Sequence, residues 1–190
     1  MTGRQALRDR HAHDTATRLT EADRQLWTPA EPSAVAELTA LVVDLRADKI
    51  RDEAPDVAER VSVVATGEEF DPGLPVTAVG EWHNVIHPEL PRPHNSGYLV
   101  TVADQCVYHP GDALTEPGVP VDVLLCPSSA PWLRSEMAID FVRAVGAPRN
   151  LAIHDRIYTD VAHGILQTQM DTLVGPCGQE WLLIPDGTDL

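Results

Sequence analysis

Apolar positions in this chain fall in short runs broken by Gly, Pro, Asp and Asn, and their period changes along its length. Residues 61–65 (VSVVA), 76–79 (VTAV), 97–103 (GYLVTVA) and 106–108 (CVY) are brief and rich in β-branched or aromatic side chains, which predicts strands. Asp104 and Gln105 separate the last two and predict a hairpin, while GEEFDPG at 67–73 reads as a turn. Residues 121–126 (VDVLLC) are almost continuously apolar, as in a sheet covered on both faces. Ser135 then opens a helix in which Met137, Ala138, Phe141, Val142 and Val145 share one face, and Gly146 and Pro148 end it. Residues 151–153 predict a strand, 161–173 a helix and 181–184 a closing strand.

Upstream the pattern is weaker. Residues 1–30 are polar and irregular, with Thr20, Glu21 and Asp23 able to start a short helix that ends near Trp27. After Pro29 and Pro32, Ser33 is placed to cap a second helix in which Val35, Leu38, Leu41 and Val42 recur at helical spacing. A short helical piece at 57–60 leads into the first strand. Hairpin strands first, then strands alternating with helices, predict an α/β fold with a mixed sheet.

The length of 190 residues suits one domain, 1–190, with a sizeable core, and no Gly/Ser-rich linker divides it. A net charge of −15, spread over both halves, leaves no basic stripe, so neither nucleic acid nor an anionic membrane surface is an expected partner. Cys106, Cys126 and Cys177 form no CxxC pair, and the first two sit in apolar runs as buried thiols would. No apolar stretch approaches the roughly 18 residues of a membrane span, and residues 1–10 carry no hydrophobic signal core. The expected location is the cytoplasm.

Chemistry concentrates where the strands end. PVTAVGEWH ends on His83, VYHPGD on Asp112 and LAIH on His154, which puts two imidazoles and a carboxylate just past three strand-like runs. Hydrolytic zinc, iron or manganese sites use these donor types, with a position left for water. His11, His13, His87, His94, His109 and His163 are further candidate donors, and no spacing among them is decisive. An Asp in a PGD turn is also commonplace for backbone reasons alone. Ser128 and Ser129 lack the glycine frame of a nucleophile elbow.

The order TAVGEWHNVIHPELPRP, NSGYLV, VYHPGDAL, VDVLLCPSSAPW, AIDFVRAV and LAIHD resembles the metallo-β-lactamase superfamily, closest to its small bacterial hydrolases related to the ascorbate-phosphate lactonases. The resemblance runs from about residue 56 to about residue 173 and implies an αββα sandwich. It implies that His83 binds a first metal, that Asp112 bridges two metals and that His154 binds the second. The remaining ligands of that family lie in an HxHxDH motif after N-terminal strands. RHAHDTAT supplies His11 and His13, but Thr15 and Ala16 stand where aspartate and histidine belong, and Asp14 falls one place early. Only ten residues precede His11, so the sandwich is expected to lack its first strands, either in the protein or because the recorded start is late.

These departures lead to an expectation of one ion rather than two. His11, His13, His83 and Asp112 would hold it, while Asp112 and His154 alone would hold a second poorly. Zinc is the first expectation, with manganese or iron as alternatives. The implied activity is hydrolysis of a small ester, lactone or phosphoester by metal-activated water, with Asp112 orienting the water and His154 acting as ligand or general acid. Trp82, His87 and Trp132 would line the substrate pocket. His109 and Asp155 would support the ligands, and His94 and His163 would lie on the surface. The alternative is a weakened or non-catalytic remnant that binds a ligand or another subunit, a homo-oligomer forming through an exposed sheet edge.

Overall fold

A computed structural model describes residues 40–42 and 44–184. The expected helix near Trp27, the RHAHDTAT segment with His11 and His13, and the Ser33 cap all lie outside the described residues. Among these, strands β1 (Ala40–Val42) and β2 (Val61–Val63) pair in parallel across helix α1 (Asp44–Glu53) and a 3-10 turn at Pro55–Arg60. Leu41 and Val42 therefore sit in a strand, not in the helix their spacing predicted. The register Leu41↔Ser62 and Val42↔Val63 gives this short apolar run a partner, and pairing overrides a weak helical period. The helix follows instead in DLRADKIRDE, whose polar sequence carries no apolar stripe to announce it.

The larger sheet has seven strands in the order β3 (Glu69–Phe70), β4 (Val76–Val79), β5 (Gly97–Val102), β6 (Gln105–His109), β7 (Val123–Pro127), β8 (Arg149–Ile153), β9 (Glu180–Leu182). β3 to β6 are antiparallel neighbours, and β6 to β9 run parallel. The expected mixed α/β architecture is thus the one found. The β5–β6 hairpin turns on Ala103 and Asp104, both with positive φ, so Val102 pairs with Gln105 and the turn falls one residue earlier than predicted. Two left-handed residues match the twist of a two-residue hairpin.

Helix α2 (Ser135–Val145) links β7 to β8, and helix α3 (Asp160–Leu173) links β8 to β9. α2 buries Ala138, Ile139, Phe141 and Val142 and stops at Gly146, whose left-handed φ of 74° closes the last turn. α3 is capped by the Thr159 hydroxyl, which accepts from the Ala162 amide at 3.3 Å, and buries Leu166 and Met170. These side chains meet Tyr108, Leu124, Cys126 and Trp181 in one apolar cluster. Burying each large member contributes about 1.5–3 kcal/mol. Cys126 is fully buried as expected, whereas Cys106 is only partly so. The buried Asn150 amide donates to Ala147 and Glu180 carbonyls at 3.0 and 3.1 Å, joining β8 to β9.

Strand directions decide where function can gather. β4 and β6 are both antiparallel to β5 and so point the same way, and β7 and β8 run parallel to β6. The carboxyl ends of all four therefore open on one end of the sheet, where α/β proteins place their ligands. None of the described helices is long and apolar enough to cross a membrane.

Candidate metal centre

Each of the three strand-end residues is carried on a loop with its own backbone ties. After β4 the chain turns at Gly80 and pairs back on itself: the His83 amide donates to the Pro93 carbonyl at 3.0 Å, the Asn95 amide donates to the Glu81 carbonyl at 3.1 Å, and Trp82 bridges His94. Arg92 Nε donates to the His83 carbonyl at 2.5 Å. After β6, Gly111 takes a φ of 66° that side chains rarely adopt, and the Asp112 carbonyl accepts from the Asn84 amide at 2.8 Å. His154 follows β8 directly with a φ of 54°. A left-handed non-glycine at a strand exit costs of order 1 kcal/mol and here re-aims an imidazole.

The Asp112 carboxylate lies between the two imidazoles. Oδ1 is 3.1 Å from His154 Nε2, and Oδ2 is 3.8 Å from His83 Nε2. The three side chains thus gather around one carboxylate, with a separate oxygen for each imidazole, instead of closing on a single point. Among the described residues, no group of three or more His, Cys, Asp or Glu is arranged so that it could hold a metal ion by itself. His83 is mostly covered at 14% exposure, while Asp112 and His154 are open at 40% and 41%. Solvent reaches the site from the Asp112 and His154 side.

Hydrogen bonds fix the tautomers. His83 Nδ1 lies 2.6 Å from the Asn84 carbonyl, and His154 Nδ1 lies 2.6 Å from the Ser129 carbonyl. A carbonyl oxygen only accepts, so each Nδ1 carries a proton and donates. In the neutral imidazoles both Nε2 atoms then present lone pairs to carboxylate oxygens, an arrangement that repels unless a proton or a cation lies between. Donor atoms sharing a tetrahedral zinc with bonds of about 2.0–2.2 Å would stand about 3.3 Å apart, and the two observed separations fall on either side of that value. The donor types suit a divalent ion, but the described residues alone do not enclose one; the carbonyl partners are of the kind that orient metal-ligating histidines.

Other expected residues divide. Trp132 meets the edge of the His83 ring at a centroid distance of 5.4 Å. Trp82 stacks on His94 at 4.2 Å. His87 lies in an exposed turn, its Nδ1 accepting from the Glu89 amide at 3.2 Å. His109 Nδ1 accepts from the Gly111 amide at 3.0 Å, which braces the PGD loop. His163 and Asp155, 3.7 Å apart, line a separate cleft with Tyr158 and Gln167, so His163 is not a plain surface residue.

Two positions carry more of the site than their sequence context suggests. Asn95 bonds both sides of the PGD loop, accepting from the Asp112 amide at 2.8 Å and donating to the Pro110 carbonyl at 2.9 Å. Ser129, unsuited as a nucleophile, supports His154 through its carbonyl and through a hydroxyl that donates to the His154 carbonyl at 2.7 Å. The only available signals were the polar residues in NSGYLV and CPSSAPW beside apolar strands.

Residues 7–154 match the family described as the β-lactamase superfamily domain, a stretch that ends on His154. The chain belongs to that superfamily, with the mixed α/β fold of the metallo-β-lactamases. It is similar to protein Rv0786c of Mycobacterium tuberculosis, 43% identical over 115 residues, which are 59% of this chain and 54% of that protein. The match thus spans about half the length of that relative. Two solved structures share the fold at a TM-score of 0.52 each. One is a protein of Parabacteroides distasonis provisionally described as a metal-dependent hydrolase, 19% identical, with 70% of this chain and 61% of that one covered. The other is Igni18, a metallo hydrolase of Ignicoccus hospitalis, 13% identical, with 77% and 65% covered.

Proposed function

We propose that this chain is a metal-dependent hydrolase of small esters, lactones or phosphoesters, working at the sheet end where His83, Asp112 and His154 gather. The observation that supports it most is geometric: two imidazoles whose Nδ1 atoms are tied to carbonyls aim their Nε2 atoms at the two oxygens of one carboxylate. A divalent cation placed among them would be attracted by both imidazole nitrogens and by the carboxylate. The family and the hydrolases of similar fold agree with this reading.

His83 and Asp112 would hold one ion, and zinc suits such a pairing of imidazole and carboxylate. When bound, the ion supplies Lewis acidity and lowers the pKa of water towards neutrality. Asp112, open to solvent on one side, accepts a hydrogen bond from the attacking water and sets its direction. His154, oriented by Ser129, offers Nε2 as the atom that would take a proton from the attacking water and then deliver it to the leaving group. Trp132 shields one edge of the His83 ring from bulk water. A cytoplasmic setting, a small-molecule substrate and self-association through a sheet edge complete the proposal.

The test is zinc titration of metal-free full-length chain in competition with a chromophoric chelator, followed by assays with an aryl acetate, an aryl phosphodiester and a simple lactone. One tightly held equivalent and metal-dependent turnover of at least one substrate are expected. Failure to bind zinc, manganese or iron overturns the reading, and tight binding without turnover points to the non-catalytic alternative.

A further inference from the structure

We propose that Asn95 is the positioning residue that holds the His83 arm and the Asp112 arm of the centre in register. Its backbone amide donates to Glu81, two residues before His83, at 3.1 Å. Its side chain spans the other arm, with Oδ1 accepting from the Asp112 amide at 2.8 Å and Nδ2 donating to the Pro110 carbonyl at 2.9 Å. One residue therefore ties together two loops that leave different strands. A carboxamide suits this position because it offers an acceptor and a donor on one planar group, whereas aspartate lacks the donor and alanine lacks both.

The fit around the amide is close. Gly111 lies between the two bonded backbone groups, and a Cβ built there would stand 2.3 Å from Asn95 Oδ1. Glycine at 111 thus serves two needs, the left-handed φ of 66° and room for the Asn95 side chain. Because the Asp112 amide is bonded to Asn95 and its carbonyl to Asn84, the backbone of that residue is fixed at both ends. The carboxylate is then aimed by χ rotation alone at the gap between the imidazoles. Asn95 touches neither imidazole ring in this account, so its effect on the centre passes through Asp112.

The experiment uses the full chain with Asn95→Ala and Asn95→Asp, read by amide hydrogen exchange in metal-free protein and by zinc competition. In Asn95→Ala, exchange of the Asp112 amide should accelerate at least about tenfold while amides in Val123–Pro127 stay as in the wild type. Zinc affinity should fall about 10- to 100-fold, the usual effect of losing an outer support of a metal ligand. Asn95→Asp restores the acceptor, so it should recover most of the Asp112 protection and provides a folded variant should the alanine form not fold. Unchanged Asp112 exchange in Asn95→Ala, or zinc affinity within twofold of the wild type, overturns the proposal. The zinc arm rests on the hydrolase reading. If the wild type takes up no divalent ion, that reading fails, while the exchange arm still decides whether Asn95 positions Asp112.

Discussion

Ser129 and His154 hold each other by two hydrogen bonds in opposite senses, His154 Nδ1 to the Ser129 carbonyl at 2.6 Å and Ser129 Oγ to the His154 carbonyl at 2.7 Å. The first sets the tautomer and the second steadies a backbone held at positive φ. Ser129 is buried, so Ser129→Ala removes the donor to the His154 carbonyl and leaves a small void in the interior. The expected cost is about 1–2 kcal/mol, read as a lower urea midpoint at unchanged slope. Zinc affinity should fall too, since the histidine loses its brace. An unaltered midpoint would show that the hydroxyl holds nothing.

Metal content separates the gathered residues from the His163–Asp155 pair. Asp112→Ala removes the carboxylate facing both imidazoles, and His83→Ala removes a mostly covered imidazole. Each should lower zinc affinity by at least tenfold, because too few donors then remain on that side. His163 faces Asp155 in a different cleft, so His163→Ala should retain wild-type zinc binding. Elemental analysis after gel filtration distinguishes these outcomes, and equal zinc in all three variants would refute the assignment.

What the sequence discloses depends on whether a feature is local. The strand Val76–Val79 and the helix Ser135–Val145 are legible because apolar period, caps and breakers all lie within the element. His83, Asp112 and His154 are legible as strand-end donors, and the resemblance orders them. Leu41 and Val42 mislead because a helical spacing over four residues is weaker than a parallel partner about twenty residues away. Asn95 is hidden for the same reason: its bonds reach residues 15 and 17 places along the chain, and no window shows them. Asn150 and Gln179 are similar, as buried amides whose partners come from other elements.

Thiol reactivity should follow burial. Cys126 is fully buried, and desolvation pushes its thiol far above the ordinary range, so the thiolate that reacts with electrophiles is suppressed. Burial raises Cys106 as well, with the Asp122 carboxylate adding to the effect. Cys177 is exposed. Brief treatment of native protein with iodoacetamide at neutral pH should therefore label Cys177 first, Cys106 slowly and Cys126 only after unfolding. Peptide mapping gives the order, and early modification of Cys126 would contradict the packing of β7 against α2.

Gly97 and Gly164 should respond to the same substitution with opposite signs. Gly97 opens β5 opposite the end of β6, and a Cβ there would lie 3.0 Å from both the His109 carbonyl oxygen and Pro110 Cα, with the Tyr108 hydroxyl at 3.2 Å. Two of these neighbours are backbone and cannot rotate aside. Gly97→Ala must part the strands where β6 hands over to the PGD loop, so it should cost about 1–3 kcal/mol of stability and weaken zinc binding through Asp112. Gly164 sits inside α3 with nothing within 4 Å of a built Cβ. Removing its excess backbone freedom should stabilise the fold by about 0.5–1 kcal/mol and leave zinc affinity unchanged. Urea unfolding and zinc competition on the two variants measure both effects. Gly97→Ala matching the wild type in both would mean that the PGD loop is free to move, and the register that brings Asp112 between His83 and His154 would then need another source.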